Sequence, residues 1–294
     1  MRWASFQRRF SAVSAPLQDV LAGSLRSKGD AVSERGWVQI GIGPCDGDRS
    51  RLYASVAVLA SELLADPAVT NFFFMNKPPG VRVRFEVDAD RRESLADTLL
   101  ERVTAWGATG AFGVYEPEEH LFGGPASMPY VHRLFTVDAL AWLAFHGAAT
   151  PVPGWMFSLA LLRRLYDGLA IVGWEDLDVW ERIRNKGDRR LPPELNGERL
   201  AAVAPAIRAL WTDAERLRGV LADGPAVTLL DEWGPRLRDA GQAWHAGYFG
   251  QRGAVIGPRE GAAFATIFHW NRGSLGPGTQ AVVTAALADR SARP

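Results

Sequence analysis

The chain is poor in the residues that would commit it to disulfide, metal or membrane chemistry. Cys45 is the only cysteine among 294 residues, which excludes an internal disulfide and a thiolate metal cluster. Such usage fits a reducing cytoplasm. The five histidines, at 120, 132, 146, 245 and 269, have no metal-ligand spacing, and neither a metal nor another cofactor is expected. No apolar run approaches the ~20 residues that cross a bilayer. The basic, amphipathic segment Met1 to Phe10 lacks the continuous apolar core of a secretion signal, so no membrane partner is expected either. Net charge is missing too. The 33 basic and 33 acidic residues cancel, which removes the positive field of a protein that grips nucleic-acid backbone, and no nucleic-acid partner is expected. Phosphate loops of the GxxxxGK[ST] kind, HExxH and GxSxG are absent. A cofactor-free reaction or a binding role is what these absences leave.

Aromatic residues, in contrast, are plentiful. Eleven tryptophans bury large areas with few torsions to freeze, so most belong in a core and several are candidates to line a groove. At this length the chain fits one domain with a large core or two closely packed layers.

Periodicity organises the chain. Trp37 to Ile42 (WVQIGI) alternates like a strand, and Arg51 to Leu64 repeats at helical spacing until Asp66 and Pro67 end it. Asn71 to Met75 and Val81 to Val87 are β-rich runs joined by Asn76 to Gly80, which predicts a hairpin. The second run puts Val81, Val83, Phe85 and Val87 on one face and Arg82, Arg84 and Glu86 on the other. Arg91 to Trp106 is helical, and a strand from Phe112 to Glu118 follows, giving βαββαβ over about 120 residues. Beyond it, Ser127 to His146, Phe157 to Val172, Trp174 to Arg184, Glu198 to Leu217 and Thr228 to Trp244 predict helices. Arg189 to Glu194 and Gly247 to Gly253 are expected loops. The whole is an α+β fold: a mixed or antiparallel sheet in the N-terminal half (about 35–125) packed against a largely helical C-terminal half (about 126–290), in a single domain.

Two stretches concentrate chemistry. Gly113 to Gly124 (GVYEPEEHLFGG) holds a tyrosine, three carboxylates, a histidine and a closing glycine pair, a density that folding alone does not demand. A sharp turn at Gly123 and Gly124 would aim the carboxylates at a cleft; the structural alternative is a hairpin end with solvated acids. Phe268 to Gln280 (FHWNRGSLGPGTQ) combines a histidine that exchanges protons near neutrality with groups that bind carbonyls, namely Asn271, Arg272, Ser274 and Gln280. Its structural alternative is a helix end in which Asn271 and Arg272 satisfy carbonyls and His269 is packed. Arg82 and Arg84 form a potential clamp for carboxylates or peptide carbonyls, although strand faces often carry arginine. Asp176 to Glu181 (DLDVWE) opens a helix, where acids favour the dipole without further function.

Four motifs in this order, FFFMNKPPGVRVRF from Phe72, YEPEEHLFGG from Tyr115, DLDVW from Asp176 and HWNR from His269, resemble the thiopeptide-type bacteriocin biosynthesis family, which is related to the C-terminal elimination domain of lantibiotic dehydratases. The resemblance runs from about Trp37 to Gln280. It implies the elimination-domain fold and one of two chemistries. Elimination domains remove glutamate from glutamylated serine or threonine to give dehydroamino acids, with arginines and a histidine around the glutamyl group. Stand-alone pyridine synthases join two dehydroalanines in a formal aza-[4+2] cycloaddition, then expel water and the leader peptide.

Departures from the family pattern favour the synthase. Eliminating relatives carry an arginine directly before the aromatic-Gly-Gly element, where this chain has Leu121, and Asn76 stands where many relatives carry arginine. The resemblance then implies a modified precursor peptide as partner, with leader, azoles and dehydroalanines, and further biosynthetic enzymes alongside. Tyr115, Glu116, Glu118, His269 and Ser274 are the candidates for proton transfer. Arg82, Arg84, Asp178, Trp270, Asn271, Arg272 and Gln280 are the candidates for substrate binding, Trp270 by stacking on thiazoles. Two alternatives stay open, a stand-alone glutamate eliminase and a non-catalytic module that binds the leader.

Overall fold

The computed structural model describes residues 34–43, 49–78, 80–186, 189, 191, 197–222 and 224–289. The segment Met1 to Phe10, Cys45 and most of the expected 189–194 loop lie outside them. The chain divides into two compact units, Met1–Glu116 with Trp142–Ala148, and Pro117–Ala141 with Ala149–Pro294.

In the first unit the order is β1 (Arg35–Ile42), α1 (Arg49–Leu63), β2 (Val69–Lys77), β3 (Gly80–Asp88), α2 (Arg92–Ala105) and β4 (Gly110–Gly113). The four strands run β2-β3-β1-β4 across the sheet, every neighbouring pair antiparallel. That is the split βαβ arrangement of ferredoxin-like sheets. Register places Val38, Ile40, Ile42, Val83, Phe85 and Phe74 on one face, and all are buried. Each phenylalanine so enclosed contributes roughly 1.5–3 kcal/mol. Tyr53 of α1 meets this face at Phe74, ring centroids 5.7 Å apart. The other face carries Gln39, Gly41, Arg82, Arg84, Ala111 and Gly113. Alternation thus separates a core face from a polar face. β4 is shorter than its sequence suggests and ends at Gly113, not Glu118. Beyond it the Val114 carbonyl accepts from the Gln39 side chain at 3.1 Å, and Pro117 has no N–H for a ladder.

The second unit is helical: α3 (Glu119–Phe122), α4 (Met128–Gly147, whose last turns from Trp142 belong to the first unit), α5 (Gly154–Gly168), α6 (Glu175–Arg184), α7 (Glu198–Thr212), α8 (Ala214–Leu221), α9 (Pro225–Trp244), α10 (Pro258–Arg272) and α11 (Pro277–Leu287). The helix expected over Glu198 to Leu217 is two helices. Asp213 breaks it, adopting extended backbone and capping α8 by accepting from the Arg216 N–H at 2.9 Å. The helix expected to reach Val172 stops at Gly168, where a Cβ would stand 2.2 Å from the Arg238 carbonyl, and Ala170 then turns into positive φ. The expected loop at Gly247 begins instead as a π-helical turn, His245–Phe249, that prolongs α9. Trp180, Trp233, Trp244 and Trp270 are fully enclosed, so the tryptophan excess mainly serves the core. Among the described residues no helix is long and apolar enough to cross a membrane.

Candidate functional site

Arg84 lies on the polar face of β3, as its parity with Arg82 requires, yet only 4% of it is exposed. Its Nε donates to Gln39 Oε1 at 2.7 Å, directly across the ladder. The guanidinium sits 4.9 Å from the Phe73 ring centroid and 4.7 Å from that of Tyr115. Trp37 meets both rings edge-on, at 5.5 and 4.9 Å. Each cation–π contact of this kind contributes roughly 0.5–2 kcal/mol. The sequence suggests two arginines presented alike; the aromatic lid of Trp37, Phe73 and Tyr115 encloses Arg84 and leaves Arg82 half-exposed. Arg84→Ala is therefore expected to lower stability by about 1–3 kcal/mol, measured by denaturant unfolding, because it empties a packed cation site. A variant as stable as the parent would place the guanidinium outside that lid.

The second unit holds a denser cluster. His269 and Arg272 stand at i and i+3 on α10, so they leave the helix on one side. Both reach Asp138 of α4: His269 Nδ1 is 2.6 Å from Asp138 Oδ1, and Arg272 Nε donates to Oδ2 at 2.6 Å. Ser158 of α5 lies 2.9 Å from His269 Nε2 and accepts from Trp270 Nε1 at 3.1 Å. With the ring neutral, the Ser158 proton goes to Nε2, and in either protonation state Nδ1–H faces the carboxylate. Burial pushes the Asp138 carboxyl up, but the neighbouring His269 and Arg272, by charge and hydrogen bond, outweigh it and hold the group below the ordinary aspartate value. Burial lowers Arg272 against the opposing pull of Asp138, and its guanidinium lies 4.5 Å from the Phe135 ring centroid.

Ser158, His269 and Asp138 have the connectivity of a nucleophile triad. Ser158 is 0% exposed, His269 2% and Asp138 3%. A hydroxyl with no exposed surface cannot meet a carbonyl substrate, so here Ser158 orients the imidazole.

The remaining candidates are distributed. Glu116 is exposed in the first unit; Glu118 is half-buried in the second, where its carbonyl accepts from the Leu121 N–H at 2.9 Å. Gly123 and Gly124 both take positive φ, 91° and 90°, and the Tyr248 hydroxyl donates to the Gly123 carbonyl at 2.8 Å, an approach that a Cβ would block at 2.1 Å. Asp178 bridges Arg182 at 3.0 Å and Arg259 at 3.3 Å. Gln280, buried, accepts from Arg189 at 2.9 Å and donates to the Leu275 carbonyl at 2.7 Å. Trp270 is 0% exposed, with Trp180 stacked at 6.1 Å, so it offers no open face to a thiazole in this conformation. Asn271 is half-buried. Asp176, read from sequence as a dipole acid, is buried and accepts from Trp211 Nε1.

Ser274 is exposed at the end of α10 with φ 54°. Its N–H donates to the Asn271 carbonyl at 3.0 Å and the Leu275 N–H to the Trp270 carbonyl at 3.0 Å, a Schellman ending in which Ser274 occupies the left-handed position. Ser274→Gly should relieve that conformation and raise stability by about 0.5–1 kcal/mol in thermal unfolding. A loss of stability would show that the hydroxyl holds something worth more than the strain.

Sequence reasoning missed Asp138 and Ser158. The available signal was a lone carboxylate inside the apolar run from Phe135 to Leu143 (FTVDALAWL), which can be buried only with a cationic partner.

This architecture has known counterparts. A tRNA-dependent lantibiotic dehydratase, MibB from Microbispora sp. 107891, superposes with a TM-score of 0.62 at 16% sequence identity, over 89% of this chain and 28% of that one. The chain thus spans little more than a quarter of that protein's length, and at this identity the likeness concerns the fold. No curated protein sequence matches the chain. The family model described as "Lantibiotic biosynthesis dehydratase C-term" matches residues 37–289, which takes in both units. The chain belongs to the lantibiotic biosynthesis dehydratase C-terminal family.

Proposed function

We propose that the protein is a pyridine synthase of thiopeptide biosynthesis, acting without a cofactor on a leader-bearing precursor peptide that contains two dehydroalanines and azoles. The observation that carries this reading is at Asn76. Its Oδ1 accepts from the Tyr53 hydroxyl at 2.7 Å, so a position at which the family resemblance leads one to expect arginine is neutral and engaged with a phenol. Leu121, half-buried beside the glycine pair, likewise supplies no charge for a departing glutamate.

The proposed reaction begins when one backbone amide shifts to its iminol, giving a 2-azadiene. The two dehydroalanine β-carbons then bond, and the iminol carbon bonds to the α-carbon of the second dehydroalanine. Loss of the former carbonyl oxygen as water and of the leader as a carboxamide makes the ring aromatic. Holding the two alkenes in contact can contribute ~7–11 kcal/mol. Proton movements fall to Tyr115, Glu116, Glu118, Ser274 and His269. The imidazole is held by Asp138, and its use requires a substrate group or an intervening donor to take the place of Ser158 at Nε2. Arg82 and Asn271, which keep exposed surface, are the proposed carbonyl-binding groups; Arg84 and Arg272 are covered and would serve only if the bound peptide uncovers them.

A second reading, glutamate elimination, is favoured by the dehydratase family itself and by the retention of Arg84 and His269. Mass spectrometry of the purified chain with two synthetic substrates separates them. The synthase converts the bis-dehydroalanine peptide to a core lighter by water and leader amide, and leaves a glutamylated-serine peptide unchanged. Loss of glutamate from the second peptide would overturn it.

A further inference from the structure

Among the described residues no strand pairs with the outer edge of β4, and the pairing register shows which backbone groups that edge presents. Gly43 N–H donates to the Thr109 carbonyl at 2.9 Å. Continuing the β1–β4 register, Gly41↔Ala111 and Gln39↔Gly113 are the hydrogen-bonded pairs, and Ile42↔Gly110 and Ile40↔Phe112 the others. The N–H and C=O groups of Gly110 and Phe112 therefore point away from β1. Among the described residues none bonds to them. The strand is exposed along its length, with Phe112 49% and the following Val114 83% exposed. Native edges are usually blunted by charge, proline or a covering element; Gly110 to Val114 has neither proline nor charge.

Beside this edge, on the polar face, lies a cleft of about 280 Å³ floored by Gly41, Gly43, Ala111 and Gly113 and walled by Lys77 and Arg82. It has no acidic lining residue, and neither cation forms an ion pair among the described residues. The Gln39 and Thr109 side chains cover Gly113 and Gly43 from this face, so a second backbone is received at the strand edge, and the two cations select its charge.

We infer that β4 is a docking edge for an extended acidic peptide segment, which adds a fifth strand through Gly110 and Phe112 and turns its carboxylates toward Lys77 and Arg82. Given the synthase reading, on which this assignment of a partner rests, that segment belongs to the precursor's leader.

The probe is a fluorescein-labelled synthetic peptide of alternating glutamate and valine, binding the full chain in an anisotropy titration. Two control peptides replace glutamate by lysine or methylate alternate backbone nitrogens. The glutamate peptide is expected to bind, and each control to bind about tenfold more weakly or worse. The double substitution Lys77→Gln with Arg82→Gln, both on accessible surface, should weaken binding by a similar factor. Amide hydrogen exchange gives the positional readout: bound peptide slows Gly110 and Phe112 and leaves Ala111 and Gly113 as they were. Equal binding of the methylated peptide, or unchanged exchange at 110 and 112, overturns the proposal. Slow exchange at those two amides without peptide also overturns it, since a second copy or another part of the chain would then cover the edge. Ring formation is a separate readout, so strand protection without turnover retires the synthase reading and leaves the docking edge standing.

Discussion

Asp138→Ala is expected to destabilise the protein by about 3–5 kcal/mol, the largest effect of any single change considered. Truncation removes a carboxylate that both the Arg272 guanidinium and the His269 Nδ1–H reach, while the Arg272 cation stays 1% exposed. A buried ion pair broken on one side costs this much because the remaining charge keeps its desolvation penalty and loses the opposite charge that offset it. Asp138→Asn keeps the shape and one acceptor oxygen, so it should fall between the alanine variant and the parent. The depressed carboxyl adds a pH signature. Its folded value lies below the unfolded one, so the stabilisation is fully present above the ordinary aspartate pKa of about 3.9 and is lost as pH falls through the lower folded value. Denaturant midpoints measured from neutral pH down to acid should therefore decline in the parent and decline less in Asp138→Asn. A loss below about 1 kcal/mol in Asp138→Ala, with parallel acid limbs, would contradict the buried network.

His269→Ala is expected to lower turnover by ~10²-fold or more in the folded enzyme while peptide affinity changes little. The substitution also removes a donor from Asp138 and leaves Ser158 to find another acceptor, so a stability loss on the order of 1–3 kcal/mol accompanies it. Rates must be read at a temperature where both proteins are fully folded. Ser158→Ala separates orientation from chemistry: it frees Nε2 without deleting the base, and it should retain far more turnover than His269→Ala. If folded His269→Ala keeps most of its activity, the imidazole is a packing residue and catalysis lies with Tyr115, the acids or substrate positioning alone. Tyr115→Phe tests the first of these by removing one hydroxyl and almost no volume, although Tyr115 also covers Arg84 through its ring, which phenylalanine preserves.

Local regularities were readable from sequence because each depends on neighbours in the chain. Alternation in Trp37 to Ile42 and Val81 to Val87, and helical spacing elsewhere, placed the βαββαβ order and most helices. Errors arose where a single side chain overrules a period. Asp213 caps a new helix inside an otherwise continuous apolar pattern, and Gln39 takes the Val114 carbonyl out of the ladder. The site was legible only in part for a related reason. His269, Trp270 and Arg272 declare themselves as polar and aromatic neighbours on one helix. Their partners Asp138 and Ser158 lie 131 and 111 residues away from His269, each set in an apolar stretch of its own helix, and no spacing rule connects them. Strand parity put Arg82 and Arg84 on one face, but parity cannot show that three aromatic rings from distant segments close over one of them.

The most direct test of the synthase account follows the carbon atoms. A leader-linked substrate carrying ¹³C at both dehydroalanine β-carbons, incubated with the purified chain alone, should yield a core whose two labels are bonded to each other and lie in an aromatic ring. One-bond ¹³C–¹³C coupling between aromatic signals, appearing in step with leader amide, is the predicted result. Labels that stay in separate alkene signals after prolonged incubation, with the peptide bound but unchanged, would contradict it.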